Sequence, residues 1–210
     1  MYKKKDGGDE TVSLTESVRR RLPEYYRVLI GLYADGFMKV SSVQLAQVMG
    51  LAQSQVRTDM LSIGCSGQKG YGYNTAKLYN RIGEVLQVQD NFSAVIIGDG
   101  ELASIVSDSH LFTKRGIKLA ARFSESDSGG WLSLEMLERF CADNAIDIMI
   151  FACEGKVAQK GMEIAERAGI RGVMNFSDTI LSSSRLAVRN LRFEDPLMML
   201  CSELKRVAED

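Results

Sequence analysis

Gly98-Asp99-Gly100-Glu101-Leu102-Ala103 follows the apolar run Ala94–Ile97 and opens an amphipathic stretch. Glycine at the first and third places and a small residue at the sixth suit phosphate chemistry. Gly98 is expected to permit a tight turn, Gly100 to let the main chain approach a pyrophosphate, and Ala103 to let helix and strand pack closely. The helix N-terminus, rich in unpaired N–H groups, would then face the phosphates. Such a site places a carboxylate about 20 residues further on, ending the second strand, to hold the adenine ribose. Here Lys118-Leu119-Ala120-Ala121-Arg122-Phe123 runs into Ser124 and then Glu125. Three outcomes stay open: Glu125 substitutes for the acid, Ser124 and Arg122 accept a 2′-phosphate, or the ribose site is empty. Cys153 follows the apolar run Ile146–Ala152 and is expected at a strand C-terminal end in the same cleft. A helix N-terminus beside it would lower its pKa and make it a reactive thiolate.

Little else suggests catalysis. His110, the single histidine, falls after the first helix of this motif, away from the strand ends where ligands bind, so no enzymatic activity is expected. Cys65, Cys141, Cys153 and Cys201 form no Cys-x-x-Cys pair, which argues against zinc and for reduced thiols in a cytoplasmic protein. No apolar run reaches the roughly 18 residues of a membrane span, and the first ten residues are too polar for a signal peptide.

A second chemistry resides in Ser42–Gly64. Ala46, Gly50 and Val56, with Leu45 and Leu51, match a helix-turn-helix: a small residue where the helices cross, glycine in the turn, and an apolar plug between them. Its second helix is expected to turn Gln53, Ser54, Gln55, Arg57 and Thr58 toward a DNA major groove, where Gln pairs with adenine and Arg with guanine. Gly67-Gln68-Lys69-Gly70-Tyr71-Gly72-Tyr73 reads as a β-hairpin wing with Gln68 and Lys69 at its tip. Upstream, Arg19-Arg20-Arg21-Leu22-Pro23 lies near a helix start, where Arg20 and Arg21 are expected to clamp the DNA backbone. Charge agrees with this division. Residues 11–81 carry nine Lys/Arg against four acids (+5), and residues 91–210 carry 14 against 18 (−4). A basic head on an acidic body suits a partner that is double-stranded DNA.

The elements that position these residues change character near residue 90. Before it apolar residues recur at helical spacing; beyond it come the short apolar runs Ala94–Ile97, Ile117–Ala121, Ile146–Ala152 and Gly172–Asn175, separated by helical segments. This pattern predicts βαβ units and a parallel sheet covered on both faces. The fold class is therefore α/β overall: a disordered tail (1–13), a winged helix-turn-helix domain (14–86), a Rossmann-like dinucleotide-binding domain (92–192) and a C-terminal helix (193–210). In that last helix Leu197, Leu200, Cys201, Leu204 and Val207 form a stripe.

From about residue 14 the chain resembles the Rex family of bacterial redox-sensing repressors. The resemblance is carried by Arg20-Arg21-Leu22-Pro23-Glu24-Tyr25-Tyr26-Arg27, Ser54-Gln55-Val56-Arg57-Thr58-Asp59 and the Gly67–Tyr73 wing, and more loosely by the glycine turn, Ala158-Gln159 and Asn175-Phe176. It implies a homodimer with exchanged C-terminal helices that binds a palindromic operator when NADH is scarce. Departures lie around the cofactor: Ser124 for the usual acid, about nine residues fewer near Ser128–Trp131 with loss of a short strand, Ala152-Cys153-Glu154 for Thr-Val-Pro, and Ser177-Asp178 for Ala-Pro. A second reading therefore keeps the DNA head on a regulator that answers to another ligand or to thiol oxidation.

Overall fold

A computed structural model describes residues 14–68, 70–88, 90–108, 112, 116–125 and 130–207, with side chains to 204. The 1–13 tail, Lys69, His110 and Ser128-Gly129 lie outside the described residues. The chain divides into two compact units, Met1–Gln89 and Asp90–Asp210.

In the first unit α1 (Glu16–Ala34) begins where the Thr15 side chain accepts the Val18 N–H. It therefore starts before the arginine run, and Pro23 falls inside it, unable to donate to the Arg19 carbonyl. Val18, Leu22, Tyr25 and Leu29 recur at steps of four, three and four and form its buried stripe. Helix α2 (Ser42–Met49) is fixed at its start by a reciprocal cap: Ser41 Oγ accepts the Gln44 N–H while Gln44 Oε1 accepts the Ser41 N–H. It ends at Gly50, whose φ of 63° lies in the left-handed region that the turn demands. Helix α3 (Gln53–Ser62) then buries Val56 and Met60 against Leu45 and Ala46 of α2 and the α1 stripe. Strand β1 (Lys39–Val40) pairs antiparallel with β2 (Tyr73–Asn74), and α4 (Thr75–Val85) closes the core with Leu78 and Ile82.

The second unit is a six-stranded, wholly parallel sheet. Its strands are β3 (Phe92–Gly98), β4 (Ile117–Ser124), β5 (Leu132–Ser133), β6 (Ile148–Ala152), β7 (Gly172–Asn175) and β8 (Ala187–Asn190), in spatial order β5-β4-β3-β6-β7-β8. This is the doubly wound order that reverses between β3 and β6, and such reversals open a crevice at the strand C-terminal ends. Alternate β3 residues serve opposite faces. Val95 and Ile97 pack with α6 (Leu137–Asp143) and α7 (Gly155–Arg167), while Ala94 and Ile96 pack with Ala103 of α5 (Gly100–Asp108). Burial on both sides explains why β3 reads as a continuous apolar run.

Two features differ from the sequence reading. The short strand thought lost near Trp131 is present as β5, which pairs Leu132 with Phe123 and Ser133 with Ser124. At two residues it is too short to carry a pattern. Strand β8 went unread because its side chains, at the sheet edge, are mostly exposed and do not alternate cleanly. Helix α8 (Glu194–Val207) does not dock on its own sheet: every described side chain from Glu194 to Leu204 is exposed, including Leu197, Met198, Met199, Leu200 and Leu204.

Candidate DNA-reading surface and ligand cleft

On α3, Ser54, Arg57 and Thr58 are exposed, whereas Gln53 and Gln55 are half-buried. The difference lies in two internal acceptors. The first is Asp59, fully buried on α3. It accepts from Arg21 Nε at 2.7 Å and Nη2 at 2.8 Å, from the Tyr25 hydroxyl at 3.0 Å and from Gln55 Nε2 at 2.8 Å. Burial pushes the Asp59 carboxyl upward, but the hydrogen bonds from Arg21, Gln55 and Tyr25 outweigh it and hold the group below the usual carboxylate range. This corrects the expectation for two residues. Arg21 is not free to clamp a phosphate, because its planar fork is committed in bidentate fashion to a carboxylate 38 positions along the chain. Gln55 spends its donor on the same group. The second acceptor is the Ser42 hydroxyl on α2, which receives Gln53 Nε2 at 3.0 Å and Arg57 Nε at 3.3 Å. Thr58 donates its hydroxyl to the Ser54 carbonyl at 3.0 Å. Arg20 stays on the surface, beside Glu16 at 3.4 Å.

The wing is tighter than expected. Gln68 and Gly72 exchange main-chain hydrogen bonds of 2.9 and 3.0 Å, so Gln68 stands at the base of the loop rather than at its tip. Gly72 must be glycine: φ is 71°, and a Cβ there would run into the Val40 carbonyl. Tyr71 is exposed at the tip with Lys39 Nζ 4.6 Å from its ring centre. Sequence reading passed over Lys39, Ser42 and Tyr71. Only Ser41-Ser42 ahead of an apolar helix carried a signal, that of a cap. A groove of about 800 Å³ runs between α2, α3 and the wing, lined by Lys39, Ser42, Gln53, Arg57 and Tyr71 among others.

In the second unit a cleft of about 570 Å³ lies where β3, β4, β6 and β7 end, lined by Asp99, Gly100, Leu102, Glu125, Cys153, Glu154, Phe176 and Asp178. The tight-turn torsion expected at Gly98 falls to Gly100 instead. Gly98 is the crowded one, since a Cβ there would strike the Ala152 carbonyl and come within 2.8 Å of Ala103 Cβ. Gly100 takes the positive φ, 82°, with nothing within 4 Å of where a Cβ would sit. The turn is thus open toward the cleft at the start of α5, as a pyrophosphate would need, and Gly98, Gly100 and Ala103 fit that group.

Residues 13–60 match the model of a family described as putative DNA-binding protein N-terminus. The whole chain is similar to the redox-sensing transcriptional repressor Rex of Caldicellulosiruptor saccharolyticus, at 33% identity over 213 aligned positions that cover 97% of this chain and 94% of that one. This chain belongs to the Rex family. The Rex of Clostridioides difficile is 31% identical, over 94% of this chain and 98% of its own length. Two solved structures agree in fold: RSP in complex with β-NAD+ and operator DNA (TM-score 0.85, 30% identity, 93% of this chain and 94% of that one), and RSP in complex with β-NADH (TM-score 0.83, 28% identity, 93% and 96%).

Within this Rex-family fold the cleft departs from expectation at three residues. Ser124 is buried at 1% exposure, inside the β4–β5 pairing, so it cannot present its hydroxyl to a ribose. Arg122 ion-pairs with Asp108 at 2.7 Å and lies over the Trp131 ring, so it is not held ready for a 2′-phosphate. Of the alternatives at this strand end, Glu125 is the group that lines the cleft, with Lys160 Nζ at 3.8 Å. Cys153 is no poised thiolate. Burial first, then the charges of Asp99, Glu125 and Glu154, push its thiol up to about 12. Among the described residues no group of His, Cys, Asp and Glu could hold a metal ion, and no helix is long and apolar enough to cross a membrane.

Proposed function

We propose that this chain is a cytoplasmic transcriptional repressor that binds a palindromic DNA duplex as a homodimer and responds to the NADH/NAD+ balance. The observation that carries the reading is the joining, in one Rex-family chain, of a helix-turn-helix that exposes Ser54, Arg57 and Thr58 to a doubly wound sheet whose Gly98–Ala103 turn opens on a cleft. In this reading Arg57 meets base edges, Ser54, Thr58 and Arg20 meet base edges or phosphates, and Gln68 and Lys69 support a wing that lies against the backbone. Tyr71 and Lys39 join the wing's contact.

In the cleft, Gly98, Asp99, Gly100, Glu101, Leu102 and Ala103 would hold the pyrophosphate turn of NAD(H), and Glu125 takes the ribose. Bound NAD(H) supplies the signal through its nicotinamide ring, charged when oxidised and neutral when reduced. Cys153, Glu154 and Asp178 line the cleft, and with Asp99 and Glu125 they place four carboxylates around a ligand whose pyrophosphate is dianionic. That charge weakens binding relative to a neutral rim, so NAD(H) affinity is modest and improves as salt screens the carboxylates.

The exposed apolar side chains of α8 support dimerisation by exchange of this helix. Leu197, Met198, Met199, Leu200 and Leu204 are each at least half exposed. Meanwhile Ile148 and Met174, on the sheet face that α5 covers, are only partly buried. A second copy satisfies both surfaces at once, and a two-fold protein suits a two-fold operator. The test is selection from randomised duplex DNA. A palindromic consensus with half-sites one helical turn or a multiple apart supports the reading, and recovery of no preferred sequence rejects it.

A further inference from the structure

The polar side chains of α3 are sorted before DNA arrives. Asp59 holds Gln55 and Arg21, which removes two residue types that could have read a base or gripped a phosphate. Ser42 does something different. Ser42 belongs to the neighbouring helix α2 and is only 7% exposed, and its hydroxyl accepts Gln53 Nε2 at 3.0 Å and Arg57 Nε at 3.3 Å. Two donors use both lone pairs of one hydroxyl oxygen. Arg57 remains exposed beyond that anchor, and among the described residues its two terminal nitrogens make no hydrogen bond.

We propose that Ser42 is a positioning residue for base reading, fixing Arg57 through Nε so that the Nη1/Nη2 edge is presented end-on to a guanine. This inference rests on the DNA-binding reading given above. An arginine has long, freely rotating torsions, and ordering them on contact with DNA costs affinity. A buried hydroxyl that already holds Nε removes part of that cost and, more specifically, dictates which edge of the guanidinium faces the groove. Bidentate recognition of guanine O6 and N7 needs two parallel donors in one plane, and with Nε engaged the terminal pair is the one left. Gln53, tied to the same oxygen, braces the anchor rather than reading a base.

The test uses the full chain and the palindromic duplex it selects from randomised DNA, with variants of that duplex in which the guanine contacted by Arg57 is replaced. Ser42→Ala is expected to weaken binding to the preferred duplex by on the order of tenfold. Discrimination at that one base pair should fall by a similar factor, with the salt slope unchanged because no phosphate contact is lost. Ser42→Thr, which keeps the hydroxyl, should restore discrimination, and Ser42→Cys, near-isosteric but a weak acceptor, should lose it and stands in if Ser42→Ala fails to fold. In an Arg57→Ala background Ser42→Ala should have no further effect on preference. Unchanged discrimination in Ser42→Ala, or an equal loss with and without Arg57, overturns the positioning role while leaving DNA binding intact. Failure of the unmodified chain to select any sequence overturns the DNA-binding reading instead, and this inference with it.

Discussion

Replacing Asp59 by alanine removes the one acceptor on which three donors converge. Its side chain is fully buried, that of Arg21 is 23% exposed, and the Tyr25 residue is wholly buried. Breaking a buried ion pair by deleting one partner costs about 3–5 kcal/mol, because the surviving charge is left in a poor solvent. Arg21 can relax toward water, so the lower end, about 3 kcal/mol, is expected, and part of it reflects the stranded Tyr25 hydroxyl. Against a total of roughly 5–15 kcal/mol this is a large loss, and for a unit of this size it lowers the melting temperature by about 12–24 °C. All seven tyrosines precede residue 90 and the only tryptophan is Trp131, so tyrosine near-ultraviolet absorbance follows unfolding of the first unit. The pH dependence carries a definite sign. The folded carboxyl is held below its ordinary value, so its contribution is complete above the unfolded pKa of about 4 and disappears as the pH falls through the lower folded value. Asp59→Ala should therefore flatten the acid limb of the stability curve. A tyrosine-monitored loss of less than about 1 kcal/mol, with an unchanged acid limb, would refute the role given to the cluster.

Arg57→Ala should weaken binding to the selected duplex by about 1–3 kcal/mol and relax preference at one base pair, whereas Lys69→Ala should weaken all sequences alike and reduce the salt slope by about one; competition binding at several salt concentrations separates the two. Gly100→Val should abolish NADH binding in calorimetric titration, since φ of 82° is hostile to a β-branched residue and the side chain would occupy the approach to the phosphates. Removing residues 194–210 should convert the dimer to a monomer in light scattering and impair binding to the palindrome; a truncated chain that stays dimeric contradicts helix exchange.

What could be read in the sequence was what depends on near neighbours. Ala46, Gly50 and Val56 announce the helix-turn-helix because the crossing, the left-handed turn and the plug lie within eleven residues. The run Ala94–Ile97 shows a strand buried on both faces, and the glycine turn after it is equally local. What escaped depends on distant partners or on torsions. Arg21 looks like a surface cation until Asp59, 38 residues on, is packed against it. The different duties of Gly98 and Gly100 follow from φ and from the Ala152 carbonyl, neither visible in Gly-x-Gly-x-x-Ala. Cys153 was expected to be acidic because a helix starts beside it; burial first, then the charges of Asp99, Glu125 and Glu154, push its thiol up instead.

The most direct test of redox-responsive repression is the affinity of the unmodified chain for its selected duplex, measured by fluorescence anisotropy with NAD+ and then NADH in millimolar excess. NADH should weaken the complex at least about fivefold, the lower bound of a typical coupling between sites, while NAD+ leaves it bound. Equal affinities in the two cofactor forms, at concentrations where calorimetry shows both to be bound, would contradict it.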